Sequence, residues 1–148
     1  MIGILIVTHN QLGKVLIDSA EMLLGDMPES VIAISTDSEE PDKLREKIAR
    51  EIRRVDRRDG VLIFTDMFGG SPCNIVCSFI EEGRTDVISS VNLPVLLKAV
   101  SSRKTMKLSE LSECVEAYGK RSISLASGIL KGKKRTQLSR CPFGVECG

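Results

Sequence analysis

The chain has 148 residues, 42% of them hydrophobic and 28% charged, with a formal net charge of +1, no Trp and one Tyr. This length suits one domain with a substantial core, and the balanced charge and scarce aromatics argue against a nucleic-acid or membrane-surface binder. No apolar run approaches the ~20 residues of a membrane span, and the N-terminus lacks the basic segment of a signal peptide.

The first predicted element is a buried strand over Ile2–Val7, which stops at Thr8-His9-Asn10. An amphipathic pattern then predicts a helix over Leu12–Leu24, with Gly25 as its C-cap and Pro28 as a stop. Steps of three and four residues place the apolar side chains of this helix on one face, which we expect to be buried: Leu12, Val15, Leu16, Ala20, Leu23 and Leu24.

The middle of the chain repeats the strand and helix alternation. Val31–Ile34 is a predicted strand, and a charge-rich helix follows from about Pro41 to Arg54. A third buried strand, Gly60–Phe64, leads into the segment Thr65–Pro72. There we expect Ser71 to be the N-cap and Pro72 to lie in the first turn of a helix that continues to about Glu82.

The last third predicts one more strand and two helices. The strand is Val87–Val91, and the helices cover roughly Pro94–Ser101 and Leu108–Gly119. Ile123–Leu130 is compatible with either a final strand or a helix end. Residues 131–148, with the basic run Lys131–Arg135, have no periodicity, and we expect a poorly ordered tail.

Strands that alternate with helices predict an α/β fold with a doubly wound, mostly parallel sheet of order 2-1-3-4 and helices on both faces. We expect a single domain over residues 1–130, followed by the tail.

The five cysteines are an odd number without the density of a disulfide scaffold, so a reducing cytoplasm is the expected location. Cys73 and Cys77 lie four residues apart, but no histidine or second cysteine pair completes a metal site, and core packing is the expected role. Cys141 and Cys147 of the tail are compatible with metal chelation, pairing or disorder. We expect no metal and no cofactor.

Two polar groups follow neighbouring strands of the predicted sheet. His9, the only histidine, comes after the first strand, and Asp66 comes after the third, so both should enter one crevice. A carboxylate that accepts Nδ1–H of a histidine fixes the tautomer and leaves Nε2 as a nucleophile for a phosphoryl group. The alternatives are a structural strand-end histidine and a turn-forming aspartate.

The residues after Asp66 fit an anion site. Gly69-Gly70 lets the backbone approach a ligand closely, and Ser71 starts a helix whose first amides are free. A plain N-cap role for Ser71 is compatible with phosphate contact. With no Lys or Arg inside either motif, we expect the phosphate to be held loosely by dipoles.

The chain resembles the enzyme IIA domain of the mannose class of the bacterial phosphoenolpyruvate-dependent sugar phosphotransferase system. The resemblance rests on motifs spread over residues 1 to about 100: Thr8-His9, Ala20–Gly25, Gly60-Val-Leu, Asp66-Met-Phe-Gly-Gly-Ser-Pro-Cys-Asn74 and Val91-Asn-Leu-Pro94. Phe68 stands where the family often has Trp, and the cysteine-containing tail does not match.

The resemblance implies that His9 accepts phosphate from the phosphohistidine of HPr and passes it to an enzyme IIB partner of a membrane permease. It implies that Asp66 orients His9 and that Ser71 helps to bind the phosphoryl group. It also implies a homodimer formed partly by exchange of a C-terminal strand, for which only Ser122–Ile129 is available, as an antiparallel edge strand.

Other functions use the same residues. A IIA-like subunit would donate phosphate to a dihydroxyacetone kinase, and a regulatory module would signal through phospho-His9 without transport. A hydrolase with a His–Asp pair is a weaker interpretation, because the chain has no Gly-x-Ser-x-Gly elbow.

Overall fold

The centre of the fold is a parallel sheet. The computed structural model describes residues 1–26, 28–37 and 39–131. In this part of the chain the strands are β1 (Gly3–Thr8), β2 (Val31–Ser35), β3 (Val61–Thr65) and β4 (Thr85–Ile88). The helices are α1 (Leu12–Leu24), α2 (Pro41–Val55), α3 (Gly70–Cys77), α4 (Leu93–Ser102), α5 (Leu108–Ser122) and α6 (Ala126–Leu130).

The strand order is β2-β1-β3-β4, and every pair of neighbouring strands in it is parallel. Strand β1 therefore lies between β2 and β3, with Thr8 opposite Ser35 and Val7 opposite Thr65. The predicted fold class and strand order are confirmed. Since the strands are parallel, the carboxyl ends of β1, β2 and β3 meet at one edge of the sheet.

Helices cover both faces because successive side chains of a strand point to opposite sides. On one face Ile4, Ile6 and Phe64 pack in a buried cluster with residues of α1, α4 and α5. On the other face Leu5 and Val7 pack with Ile63 and with residues of α2 and α3. Among the described helices none has the length and apolar character required to cross a bilayer.

Helix α1 has the predicted bounds, but its predicted buried face is partly wrong. Gly13, Ile17 and Ala20 are the buried residues, whereas Leu12, Val15 and Leu23 are exposed. The reason is Gly13. A Cβ at this position would lie 3.0 Å from Ala33 Cβ and from Ile6 Cγ2, so the missing side chain turns this side of the helix toward the sheet.

Helix α3 also departs from the prediction. Its N-cap is Gly69 instead of Ser71, and it ends at Cys77 instead of Glu82. The hydroxyl of Ser78 donates to the carbonyl of Ile75 over 2.6 Å, and Glu81 forms an antiparallel bridge with Thr85. These contacts turn the chain back early. Strand β4 consequently covers Thr85–Ile88, so that both its start and its end come earlier than those of the predicted strand Val87–Val91.

The segment after α5 contains a short helix where the sequence was compatible with either a strand or a helix end. Ser122 is the last residue of α5, and Ala126–Leu130 forms α6. An antiparallel edge strand over Ser122–Ile129 is therefore not what the chain forms here. The remaining tail prediction, including Lys131–Arg135 beyond its first residue and both tail cysteines, lies outside the described residues.

Candidate active site

The site lies where two neighbouring strands end. Strand β1 ends at Thr8 and β3 ends at Thr65, and the register pairs Val7 with Thr65. His9 and Asp66, the next residue in each case, therefore leave the sheet side by side.

The two side chains are in contact. His9 Nδ1 lies 2.9 Å from Asp66 Oδ2, and the backbone N–H of His9 donates to the same oxygen over 2.9 Å. The backbone N–H of Met67 donates to the other oxygen, Oδ1, over 3.0 Å. The predicted proximity of His9 and Asp66 is confirmed, and the carboxylate is oriented by three donors.

The electrostatics favour an ionised carboxylate next to an accessible ring. Burial by itself would raise the pKa of Asp66, but the hydrogen bonds from the His9 backbone and ring outweigh it and hold the pKa below its usual value. The Asp66 side chain is 16% exposed and that of His9 is 53% exposed. Nδ1 of His9 thus faces Asp66, and Nε2 is the ring nitrogen that is left available for chemistry.

The turn that carries His9 is fixed on both sides. The hydroxyl of Thr8 accepts the N–H of Gly13 over 2.9 Å, which ties the start of α1 to the strand end. Asn10 has a left-handed backbone (φ 52°), and its N–H donates to the carboxylate of Asp37, just beyond β2. Sequence reasoning missed Asp37, whose only signal is that β2 ends at the same edge of the sheet as β1.

The diglycine is the other half of the site. Gly69 and Gly70 have φ values of 101° and 80°, a region that only glycine enters without strain. Their conformations start α3 immediately, so Ser71 lies exposed in its first turn. A small pocket beside the His9–Asp66 pair is lined by Gly69 and Pro72 from this turn. Free amides of a first helical turn suit an anion.

No group of three or more His, Cys, Asp or Glu side chains that could hold a metal ion occurs among the described residues. Cys73 and Cys77 lie on α3 with their sulfurs 3.8 Å apart. Burial, assisted by Cys73, raises the pKa of the Cys77 thiol. Cys73 is buried and Cys77 is half-buried, and cysteines in such positions behave as small apolar side chains.

Apolar side chains that follow His9 and Asp66 along the chain are exposed. Met67 and Phe68, which follow Asp66, are 58% and 69% exposed. Leu12 and Val15, on the first turns of α1, are 43% and 55% exposed. Exposed apolar side chains that cluster on a surface are typical of sites where protein partners bind.

One known protein family matches most of the chain. The family described as "PTS system fructose IIA component" (EIIA-man) matches residues 3–116. The chain is 30% identical over 135 residues to the PTS system fructose-specific EIIA component of Bacillus subtilis (strain 168), with 90% of this chain and 92% of that protein covered.

Two further similarities agree. The chain is 32% identical over 103 residues to the PTS system mannose-specific EIIAB component of Escherichia coli (strain K12), which covers 69% of this chain but only 32% of that longer protein. The crystal structure of the phosphotransferase system component EIIA from Streptococcus agalactiae superposes with a TM-score of 0.76 at 26% identity, over 86% of this chain and 98% of that one.

Proposed function

Because the chain belongs to the mannose-class EIIA family of the sugar phosphotransferase system, whose members are phosphotransferase components, we propose that His9 is a covalent phosphoryl carrier. The observation that carries the proposal is the 2.9 Å contact between His9 Nδ1 and Asp66 Oδ2 beside an exposed ring. That contact selects Nε2 as the nucleophile and stabilises the positive charge that develops on the imidazole.

The transfer proceeds in two steps. Nε2 of His9 attacks the phosphorus of phosphohistidine HPr, the P–N bond of the donor breaks, and the electron pair of that bond stays on the HPr imidazole. The proton on Nδ1 remains hydrogen-bonded to Asp66 throughout. In the second step a nucleophile of the enzyme IIB partner attacks the same phosphorus, and His9 is released. Both steps require in-line geometry and stabilised phosphoryl oxygens.

The turn at Gly69 and Gly70 and the exposed Ser71 supply that stabilisation. In our proposal the first amides of α3 and the Ser71 hydroxyl hydrogen-bond the phosphoryl oxygens. Neither the His9 turn nor the Asp66–Pro72 segment contains a Lys or Arg. The phosphoryl group is consequently bound by dipoles alone, which suits a carrier that must release it.

Partner proteins dock on the apolar surface around His9. We assign this role to Leu12, Val15, Met67 and Phe68, because they are exposed and lie in the two segments that follow His9 and Asp66 along the chain. HPr and enzyme IIB use the surface in turn, in the cytoplasm, and enzyme IIB relays the phosphate to its membrane permease. Domain 1–130 contains every residue that this scheme requires.

We also propose a homodimer. Strand β4 is an edge of the described sheet, and a cleft of about 540 Å³ lies between it and α5. Just past α5, Ile123 and Leu125 are 83% and 73% exposed. An exposed strand edge beside an apolar segment favours pairing with a second copy.

The experiment is phosphorylation with purified components. Incubation with phosphoenolpyruvate, enzyme I and HPr is expected to add one acid-labile phosphate to the wild-type chain and none to His9→Ala, measured by intact mass. The variant should keep its unfolding temperature within a few degrees, because His9 is exposed. A wild-type chain that gains no mass, or a His9→Ala chain that gains the same mass, would refute the carrier.

A further inference from the structure

A buried hydroxyl lies at the pocket that His9 and Asp66 line. Thr65, the last residue of β3, is 3% exposed, and its Oγ1 has no hydrogen-bond partner among the described residues. A buried hydroxyl that stays unpaired destabilises the folded state, because it has lost its hydrogen bonds to water. Such a group is expected to have a partner that is not part of the chain.

The second observation is the space that this residue adjoins. Thr65 lines the small pocket beside His9 and Asp66, together with Thr36 and Cys73. The volume open to the centre of a water molecule is about 10 Å³. That is about the volume that one water requires, and it is far too small for a phosphoryl group.

The third observation is an unused acceptor position on Asp66. A carboxylate offers about four lone pairs. Oδ2 accepts from the His9 N–H and faces His9 Nδ1, and Oδ1 accepts from the Met67 N–H. Three donors thus account for three positions, and one remains on Oδ1.

We propose that one buried water binds in this pocket, accepts a hydrogen bond from Thr65 Oγ1 and donates one to Asp66 Oδ1. Thr65 is then a positioning residue. It acts through the water on the carboxylate that orients His9, and it fixes the rotation of that carboxylate. Thr65 and Asp66 give this water the two partners that a buried water needs at least.

Two consequences can be measured. Removal of the hydroxyl should raise the pKa of Asp66 by roughly 0.4–1 pH unit, because the ionised form loses one neutral hydrogen bond. It should also slow phosphoryl transfer by roughly two- to tenfold. The second consequence rests on the proposed function, whereas the first holds for any role of the site.

The experiment compares Thr65→Val, which removes the hydroxyl and keeps the shape, with Thr65→Ser, which keeps the hydroxyl. The matched control is Ser102→Ala in α4. Ser102 is 2% exposed, and its hydroxyl is likewise without a partner among the described residues. Carboxyl NMR titration gives the pKa of Asp66, and transfer from phospho-HPr gives the rate.

An upward shift in Thr65→Val that is absent in Thr65→Ser and Ser102→Ala supports the water. An unchanged pKa of Asp66 in Thr65→Val, with the same small change of stability as in Ser102→Ala, would mean that the hydroxyl does not act on Asp66. That result would overturn the proposal. If Thr65→Val does not fold, a crystal structure of the wild type decides instead. Density within hydrogen-bond distance of Thr65 Oγ1 and Asp66 Oδ1 supports the water, and a direct protein partner for Oγ1 refutes it.

If neither the wild type nor the variants take up phosphate, the proposed function is wrong. The titration of Asp66 and the electron density still show whether the water is bound.

Discussion

At the scale of single residues, the site is a histidine held by one carboxylate. The pairing of His9 with Asp66 was predictable because both follow buried strands whose carboxyl ends must meet in a parallel sheet. The contribution of Asp37 was not, since only the left-handed turn at Asn10 brings that backbone N–H to its carboxylate. A single turn of this kind produces no repeating sequence pattern from which its conformation could be predicted.

Asp66→Asn tests the carboxylate. We expect phosphoryl transfer at neutral pH to fall roughly ten- to a hundredfold, because a charge-assisted hydrogen bond to the ring is lost. Because the folded pKa of Asp66 lies below 3.8, its stabilising effect is complete above that value and disappears as the pH falls through the folded pKa. The difference in unfolding free energy between wild type and variant should therefore shrink in acid.

Stopped-flow transfer and urea unfolding at several pH values measure both effects. A variant that transfers phosphate at the wild-type rate would remove Asp66 from the mechanism.

At the scale of secondary-structure elements, the bounds of α1 followed from its apolar spacing but its orientation did not. Periodicity identifies a helix, and several faces of α1 are apolar enough to be buried. The close approach at Gly13 decides which face meets the sheet. The same local effects set α3, whose start depends on the positive φ values of the diglycine and whose end depends on Ser78.

The orientation of α1 leads to a matched test of docking. Leu12 and Leu23 are similarly exposed, at 43% and 52%, but Leu12 begins α1 three residues after His9, whereas Leu23 lies at the far end of the helix. We expect Leu12→Ser to raise KM for phospho-HPr by roughly three- to tenfold through lost apolar contact. Leu23→Ser should leave KM unchanged.

Neither substitution should lower the unfolding temperature by more than a few degrees, since neither side chain belongs to the core. Equal KM values for the two variants would exclude Leu12 from the docking surface.

At the scale of the whole molecule, the sheet order and the two-faced core were predictable because the strands are continuous apolar runs separated by helices. The long-range polar contacts were not predictable from the sequence. The buried guanidinium of Arg103 donates to the carbonyls of Ile2, Glu29 and Ser30, and so joins the end of α4 to the strand starts at the other edge of the sheet. Contacts across such sequence separations leave no local pattern.

The same limit applies to the segment after α5. Apolar residues at Ile123 and Leu125 were compatible with a strand, and in this single chain the segment leads into α6 instead. Apolar composition alone does not distinguish a strand from a helix in so short a segment. His9, Asp66 and Gly69 of the diglycine, by contrast, come together at one sheet edge of the same chain.

The most direct test of the proposed phosphoryl-carrier mechanism is to identify the atom of the intact chain to which the phosphate is bonded. Nitrogen-15 and phosphorus-31 NMR of the protein labelled through phosphoenolpyruvate, enzyme I and HPr should show a single phosphohistidine, at His9, with phosphorus bonded to Nε2 and the proton on Nδ1. Phosphate on Nδ1, which faces Asp66 at 2.9 Å, or phosphate on a residue other than His9, would contradict it.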